Sequence, residues 1–153
     1  MRAGREVEVL LVEDNPADAE LTLHSLRQHS LADHVRVARD GVEALDFLFC
    51  RGAFAGRSFT DPPTLVLLDI KLPKVDGLEV LRQLKADPRT QPIPVVMLTS
   101  SNIERDLVTS YQSGVNSYVQ KPVEFGQFRE AVKQVGLYWL LENEPPPPSA
   151  FAG

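Results

Sequence analysis

The sequence predicts a single α/β domain, a five-stranded parallel sheet with helices on both faces. Three observations carry that prediction. Val7-Glu8-Val9-Leu10-Leu11-Val12 and Thr64-Leu65-Val66-Leu67-Leu68 are short, mostly apolar runs of the kind that form buried strands. Longer amphipathic segments separate such runs in a βαβα rhythm. A chain of 153 residues, 43% hydrophobic and 24% charged, suits one globular domain that needs no staple to fold.

In chain order, the strand Val7 to Val12 runs into Glu13-Asp14-Asn15-Pro16, which is loop chemistry followed by a helix start. From about Ala17 to His29, Ala17, Leu21, Leu23, His24 and Leu26 recur at near-helical spacing. Val35 to Ala38 is a short second strand. Asp40 suits the N-cap of a helix from Val42 to Cys50. Arg51 to Pro63, with two glycines and two prolines, reads as a long loop, either an embellishment or a functional element. Thr64 to Leu68 is the third strand, ending at Asp69. Leu72 to Gly77 is a turn, and Leu78 to Lys85 a helix with Leu78, Val80, Leu81 and Leu84 inward. Ile93 to Leu98 is a fourth strand, ending at Thr99-Ser100-Ser101. A helix from about Ile103 to Gln112 closed by Gly114, a strand Ser117-Tyr118-Val119, and a last helix from about Glu124 to Leu141 complete the domain. Its expected bounds are 6–141. Residues 142–153, with prolines at 145–148, are expected to form a flexible tail too short for a DNA-binding module.

Composition excludes several functions. A net charge of −5 argues against general nucleic-acid binding, which needs clustered Lys and Arg. The single cysteine, Cys50, excludes an internal disulfide framework and a cysteine-rich zinc site, and the scattered His24, His29 and His34 lack metal-ligand spacing. No apolar run approaches the ~20 residues of a membrane span, and no signal-peptide segment follows Met1, so a cytoplasmic protein is expected.

In open parallel sheets, ligands bind beyond the carboxyl ends of the strands. Here those ends carry Glu13, Asp14, Asp69, Thr99 and Lys121. Three carboxylates on neighbouring strands repel one another, and a hard divalent cation would relieve them. Taken alone, Glu13 and Asp14 read more readily as solvated or capping acids. With magnesium bound, Thr99 and Lys121 could neutralise a phosphoryl group on Asp69, the nucleophile.

Four motifs at these strand ends are together similar to the receiver domain of two-component response regulators. They are Val9 to Asn15, Leu68 to Gly77, Met97 to Ser101, and Tyr118-Val119-Gln120-Lys121-Pro122. The resemblance covers about Val7 to Leu141. It implies the flavodoxin-like receiver fold with strand order 2-1-3-4-5. Asp69 matches the phosphoacceptor. Glu13 and Asp14 match the magnesium-binding acidic pair, with manganese able to replace magnesium and the backbone carbonyl of Lys71 as a further ligand. Thr99 and Lys121 match the residues that contact the phosphoryl group, and Tyr118 the aromatic switch position. The long loop, Ser110 to Tyr118 and Tyr138-Trp139-Leu140 resemble stand-alone receivers that partner phytochrome-type sensor histidine kinases. Such a protein signals through a downstream protein target and is no enzyme beyond its own phosphotransfer and dephosphorylation. A haloacid-dehalogenase-like phosphatase would need an acid where Lys71 stands, and a flavodoxin-like cofactor binder would want a phosphate loop where Glu13 and Asp14 stand.

The last helix carries more apolar residues than one buried stripe requires. Phe125, Phe128, Val132, Val135 and Trp139 can face the sheet. Leu137, Tyr138, Leu140 and Leu141 then form an outward surface, expected to pair in a homodimer.

Overall fold

The computed structural model describes residues 9–27, 34–110 and 117–137. Five parallel strands, β1 (Val9–Val12), β2 (Val35–Ala38), β3 (Leu65–Asp69), β4 (Val95–Thr99) and β5 (Ser117–Gln120), form one sheet in the expected order β2-β1-β3-β4-β5. The helices are α1 (Pro16–Arg27), α2 (Gly41–Leu48), α3 (Gly77–Ala86), α4 (Asn102–Ser110) and α5 (Phe125–Gln134). Among the described residues, no helix is long and apolar enough to cross a membrane.

Every residue of β1, β3 and β4 is buried, because these strands are covered on both faces. Alternation sends Val9, Leu11, Leu65, Leu67, Val96 and Leu98 to one side, against Leu26, Phe128, Ala131 and Val132 of α1 and α5. Leu10, Val12, Val66, Leu68, Val95 and Met97 point to the other, against Leu45, Phe47, Leu81, Leu84 and Val108 of α2, α3 and α4. Asp40 and Asp76 cap α2 and α3, each accepting from the N–H three residues on, Glu43 at 2.8 Å and Glu79 at 3.1 Å.

The buried face of α1 differs from the sequence expectation. Ala17, His24 and Leu21 are exposed, Leu21 to 50%, while Ala19, Thr22, Ser25 and Leu26 are buried. Small side chains suit this face, and the Ser25 hydroxyl donates to the Val123 carbonyl on the far side of the molecule's sequence.

The long loop is packed. A one-turn 3₁₀ helix, Gly52–Phe54, sets Phe54 edge-on to Phe47 with centroids 5.2 Å apart. The Arg57 guanidinium lies 3.7 Å from the Phe47 ring centroid and donates to the carbonyls of Phe47 and Asp61. Cys50, intermediate in exposure, turns the chain out of α2 with φ 54°.

Helix α5 is shorter than expected. Gly136, at φ 82°, forms a Schellman turn in which the Leu137 N–H bonds the Val132 carbonyl and the Gly136 N–H bonds the Lys133 carbonyl, both at 3.0 Å. That turn folds Leu137 into the core beside Val132, at 9% exposure, which corrects its expected place on an outward dimer surface. Tyr138, Leu140 and Leu141, with Trp139, lie outside the described residues, as do the expected ends of the domain and Gly114.

Candidate functional site

Register brings the chemistry together. Val12 pairs with Leu68, so Glu13 and Asp69 follow side by side where strand order reverses, between β1 and β3. Asp69 pairs with Leu98, one residue before Thr99, and Thr99 pairs with Gln120, one residue before Lys121. The Lys121 N–H then donates to the Thr99 carbonyl at 2.7 Å.

Glu13 and Asp69 are buried, while Asp14 is exposed. One carboxylate oxygen from each of the three lies within 4.8 Å of the others. Lys121 Nζ donates to Glu13 Oε1 at 3.0 Å and to Asp69 Oδ2 at 3.1 Å. Burial pushes the Asp69 carboxyl up to about 7, the Glu13 charge adds to the effect, and Lys121 opposes both. Burial disfavours the Lys121 charge, but hydrogen bonds and charge from Glu13, Asp69 and Asp18 outweigh it and hold its pKa above the ordinary lysine value. One ammonium therefore leaves the carboxylates under-compensated. An all-oxygen donor set of this charge fits a hard divalent cation.

The buried Thr99 hydroxyl points to the Val119 carbonyl at a long 3.5 Å. Tyr118, on the same strand as Val119, is 38% exposed. Lys71 follows Asp69 by two residues, and its largely exposed ammonium lies 3.7 Å from Glu104 Oε2. Sequence reasoning missed Glu104, a buried acid in the first turn of α4 that also accepts from the Ser100 N–H at 2.7 Å. It also missed Asp18, whose Oδ2 lies 3.1 Å from Lys121 Nζ. Ser101-Asn102-Ile103-Glu104 carries the spacing of a capping box. No local signal links Asp18 to a lysine 103 residues away.

The loop that follows Asp69 lies on two glycines. The Gly77 N–H donates to the Ile70 carbonyl at 2.7 Å, and the Gly41 N–H to the Pro73 carbonyl at 3.3 Å. A Cβ would stand 2.0 Å from the Asp69 carbonyl oxygen at Gly77 and 1.8 Å from the Val75 carbonyl oxygen at Gly41.

Residues 9–133 match the family model for the response regulator receiver domain. The chain is 43% identical over 141 residues to the probable methanogenesis regulatory protein FilR2 of Methanothrix harundinacea, covering 92% of this chain and 88% of that protein. Among solved structures, the bacteriophytochrome response regulator AtBRR is 56% identical, with a TM-score of 0.81 over 91% of this chain and 99% of its own. The Mn(2+)-bound form of response regulator Rcp1, from Synechocystis, is 37% identical, with a TM-score of 0.69 and 91% and 97% covered. The phosphorylated cyanobacterial phytochrome response regulator RcpA is 40% identical, with a TM-score of 0.69 and 91% and 96% covered. Motif, register, fold and relatives agree, and the chain belongs to the response regulator receiver family.

Proposed function

We propose that Asp69 accepts a phosphoryl group from a phosphohistidine of a sensor histidine kinase. The observation that carries this reading is the Lys121 ammonium held 3.1 Å from Asp69 Oδ2, within a cluster of carboxylates at the strand ends. Glu13, Asp14, Asp69 and the Lys71 backbone carbonyl would hold magnesium, or manganese in its place. That cation supplies charge neutralisation of the phosphoryl oxygens. An Asp69 carboxylate oxygen forms the bond to phosphorus as the bond to the histidine nitrogen breaks, and the electron pair leaves on the imidazole. Lys121 neutralises one phosphoryl oxygen, and the Thr99 hydroxyl turns from the Val119 carbonyl to donate to another. Water later cleaves the acyl phosphate, and the protein catalyses nothing else.

The Thr99 movement frees space beside β5 that Tyr118 fills, which alters the surface offered to a downstream protein. Similarity to AtBRR and RcpA supports a phytochrome-type kinase as donor. The same reading takes the domain as residues 6–141, followed by a tail over 142–153, and places it in the cytoplasm. Self-association belongs to the same reading. With Leu137 buried, it would use the exposed Ile103, Leu107 and Tyr118 of α4 and β5, together with Tyr138, Leu140 and Leu141. Sedimentation with and without beryllofluoride measures it, and a monomer in both states at tens of micromolar refutes it.

The phosphotransfer test is labelling by acetyl phosphate and by a panel of phosphorylated histidine kinases, with Asp69→Asn as control. Magnesium-dependent label is expected on wild type alone. Label on Asp69→Asn, or full labelling in excess chelator, overturns the assignment.

A further inference from the structure

Asp18 has no part in the phosphotransfer reading, yet it touches the cation on which that reading rests. A lysine ammonium has three N–H donors. In Lys121 all three go to carboxylates, Glu13 Oε1 at 3.0 Å, Asp69 Oδ2 at 3.1 Å and Asp18 Oδ2 at 3.1 Å. The first two partners are buried and belong to the metal-binding trio. Asp18 is different, with a side chain 37% exposed, closing the ammonium from the solvent side. Its own place is set by Asn15, whose Oδ1 accepts from the Ala17 and Asp18 N–H groups at 2.9 and 3.0 Å and so fixes the first turn of α1 beside Glu13.

Lysine offers a point charge on a flexible stem and lacks the fixed fork of arginine, so its partners decide where the charge sits. Two of the three partners change during the reaction. Asp69 becomes an acyl phosphate, and Glu13 is shared with the divalent cation. Asp18 alone keeps its full charge and is consumed by neither event.

We infer that Asp18 is a positioning residue that holds the Lys121 ammonium at the acceptor through phosphoryl transfer. This inference rests on the proposed phosphotransfer to Asp69. Asp18 lies at the open end of this pair, and without it Lys121 keeps two buried carboxylate partners, so its loss costs the fold little. Its effect is therefore expected in the reaction rather than in the melting temperature.

The experiment compares full-length wild type, Asp18→Asn, Asp18→Ala and Asp69→Asn. Aspartyl phosphate formation is followed over a range of acetyl phosphate concentrations in saturating magnesium. Hydrogen exchange of the Lys121 ammonium is followed by ¹⁵N NMR. Asp18→Ala is expected to lower the limiting rate about five- to ten-fold, the order of one partly exposed charge-assisted hydrogen bond. The half-saturating donor concentration should change less than about two-fold, because Asp18 does not meet the donor. Lys121 protons should exchange faster in Asp18→Ala. Asp18→Asn, whose amide oxygen still accepts, should recover part of both losses. A limiting rate in Asp18→Ala equal to wild type overturns the inference, whatever the exchange shows. So does a slow Asp18→Ala whose Lys121 protons exchange as in wild type. Failure of wild type to label, or labelling of Asp69→Asn, is a separate outcome that removes the phosphotransfer reading and this inference with it.

Discussion

Gly77→Ala puts a methyl group into the floor of the loop that follows Asp69. Its Cβ would stand 2.0 Å from the Asp69 carbonyl oxygen and 2.9 Å from Ile70 Cα. Both obstacles are backbone, so no rotamer change relieves them. Reaching even a tight 3.0 Å requires a shift of about 1 Å at Asp69 or at the start of α3, with loss of the 2.7 Å bond from Gly77 to Ile70. Overpacking of this kind costs about 1–3 kcal/mol. Alanine's helix preference over glycine returns up to ~1 kcal/mol. The clash wins, leaving a net loss of about 1–2 kcal/mol and a Tm lower by roughly 2–8 °C for a chain of this size. The companion substitution is Gly126→Ala in α5, where a Cβ meets nothing within 4 Å and helix preference acts alone, stabilising by up to ~1 kcal/mol. Thermal and urea unfolding measure both, and the rate of Asp69 phosphorylation should fall at least about ten-fold in Gly77→Ala alone, because its carboxylate is displaced. A Gly77→Ala protein that melts at or above wild type would refute the close-approach argument.

Phe128 is fully buried between α5 and the sheet, so Phe128→Ala should cost about 3–5 kcal/mol in urea unfolding; a loss under about 1 kcal/mol would mean that this face repacks freely. Hydrogen bonds from Arg82, then Gln83, hold the Glu79 carboxyl at about 2, so carboxyl NMR should find it titrating far below the other glutamates and returning toward 4.5 in Arg82→Ala. The sign follows: this depressed carboxylate favours the fold above about 4.5, and its contribution fades as pH falls toward about 2. Magnesium at a hundred times its dissociation constant should stabilise the protein by about 2.7 kcal/mol, and Glu13→Gln should abolish most of that gain; an equal Tm rise in the variant would place the cation elsewhere.

Strands were legible because burial on both faces demands continuous apolar runs, and β1, β3 and β4 are buried throughout. Glu13, Asp69, Thr99 and Lys121 were legible for a related reason, since each ends a strand or follows it by one residue. Strand order was not written in periodicity and came from family resemblance. The face of α1 was misread because leucines usually mark the core, yet here Leu21 is exposed and Thr22 and Ser25 are buried. Only the packing partner, through the Val123 carbonyl, decides that. Leu137 was misread although Gly136 was visible as a helix stop, because apolar content was counted past the glycine. Asp18 and Lys121 meet only through the fold.

The glycine contacts make the site mechanically lopsided. On the side of α2 and α3, Gly41 and Gly77 lay backbone on backbone with no room for a methyl group, and that wall cannot yield without breaking main-chain hydrogen bonds. On the side of α4, Ile103 is 75% exposed and Leu107 47%, and no such backbone-on-backbone contact is seen among the described residues. If Asp69 gains the proposed phosphoryl group, the wall on the α2 and α3 side has no room to give. Movement is then expected toward α4 and β5, so that the stiffness of one loop would set the direction in which the molecule can report.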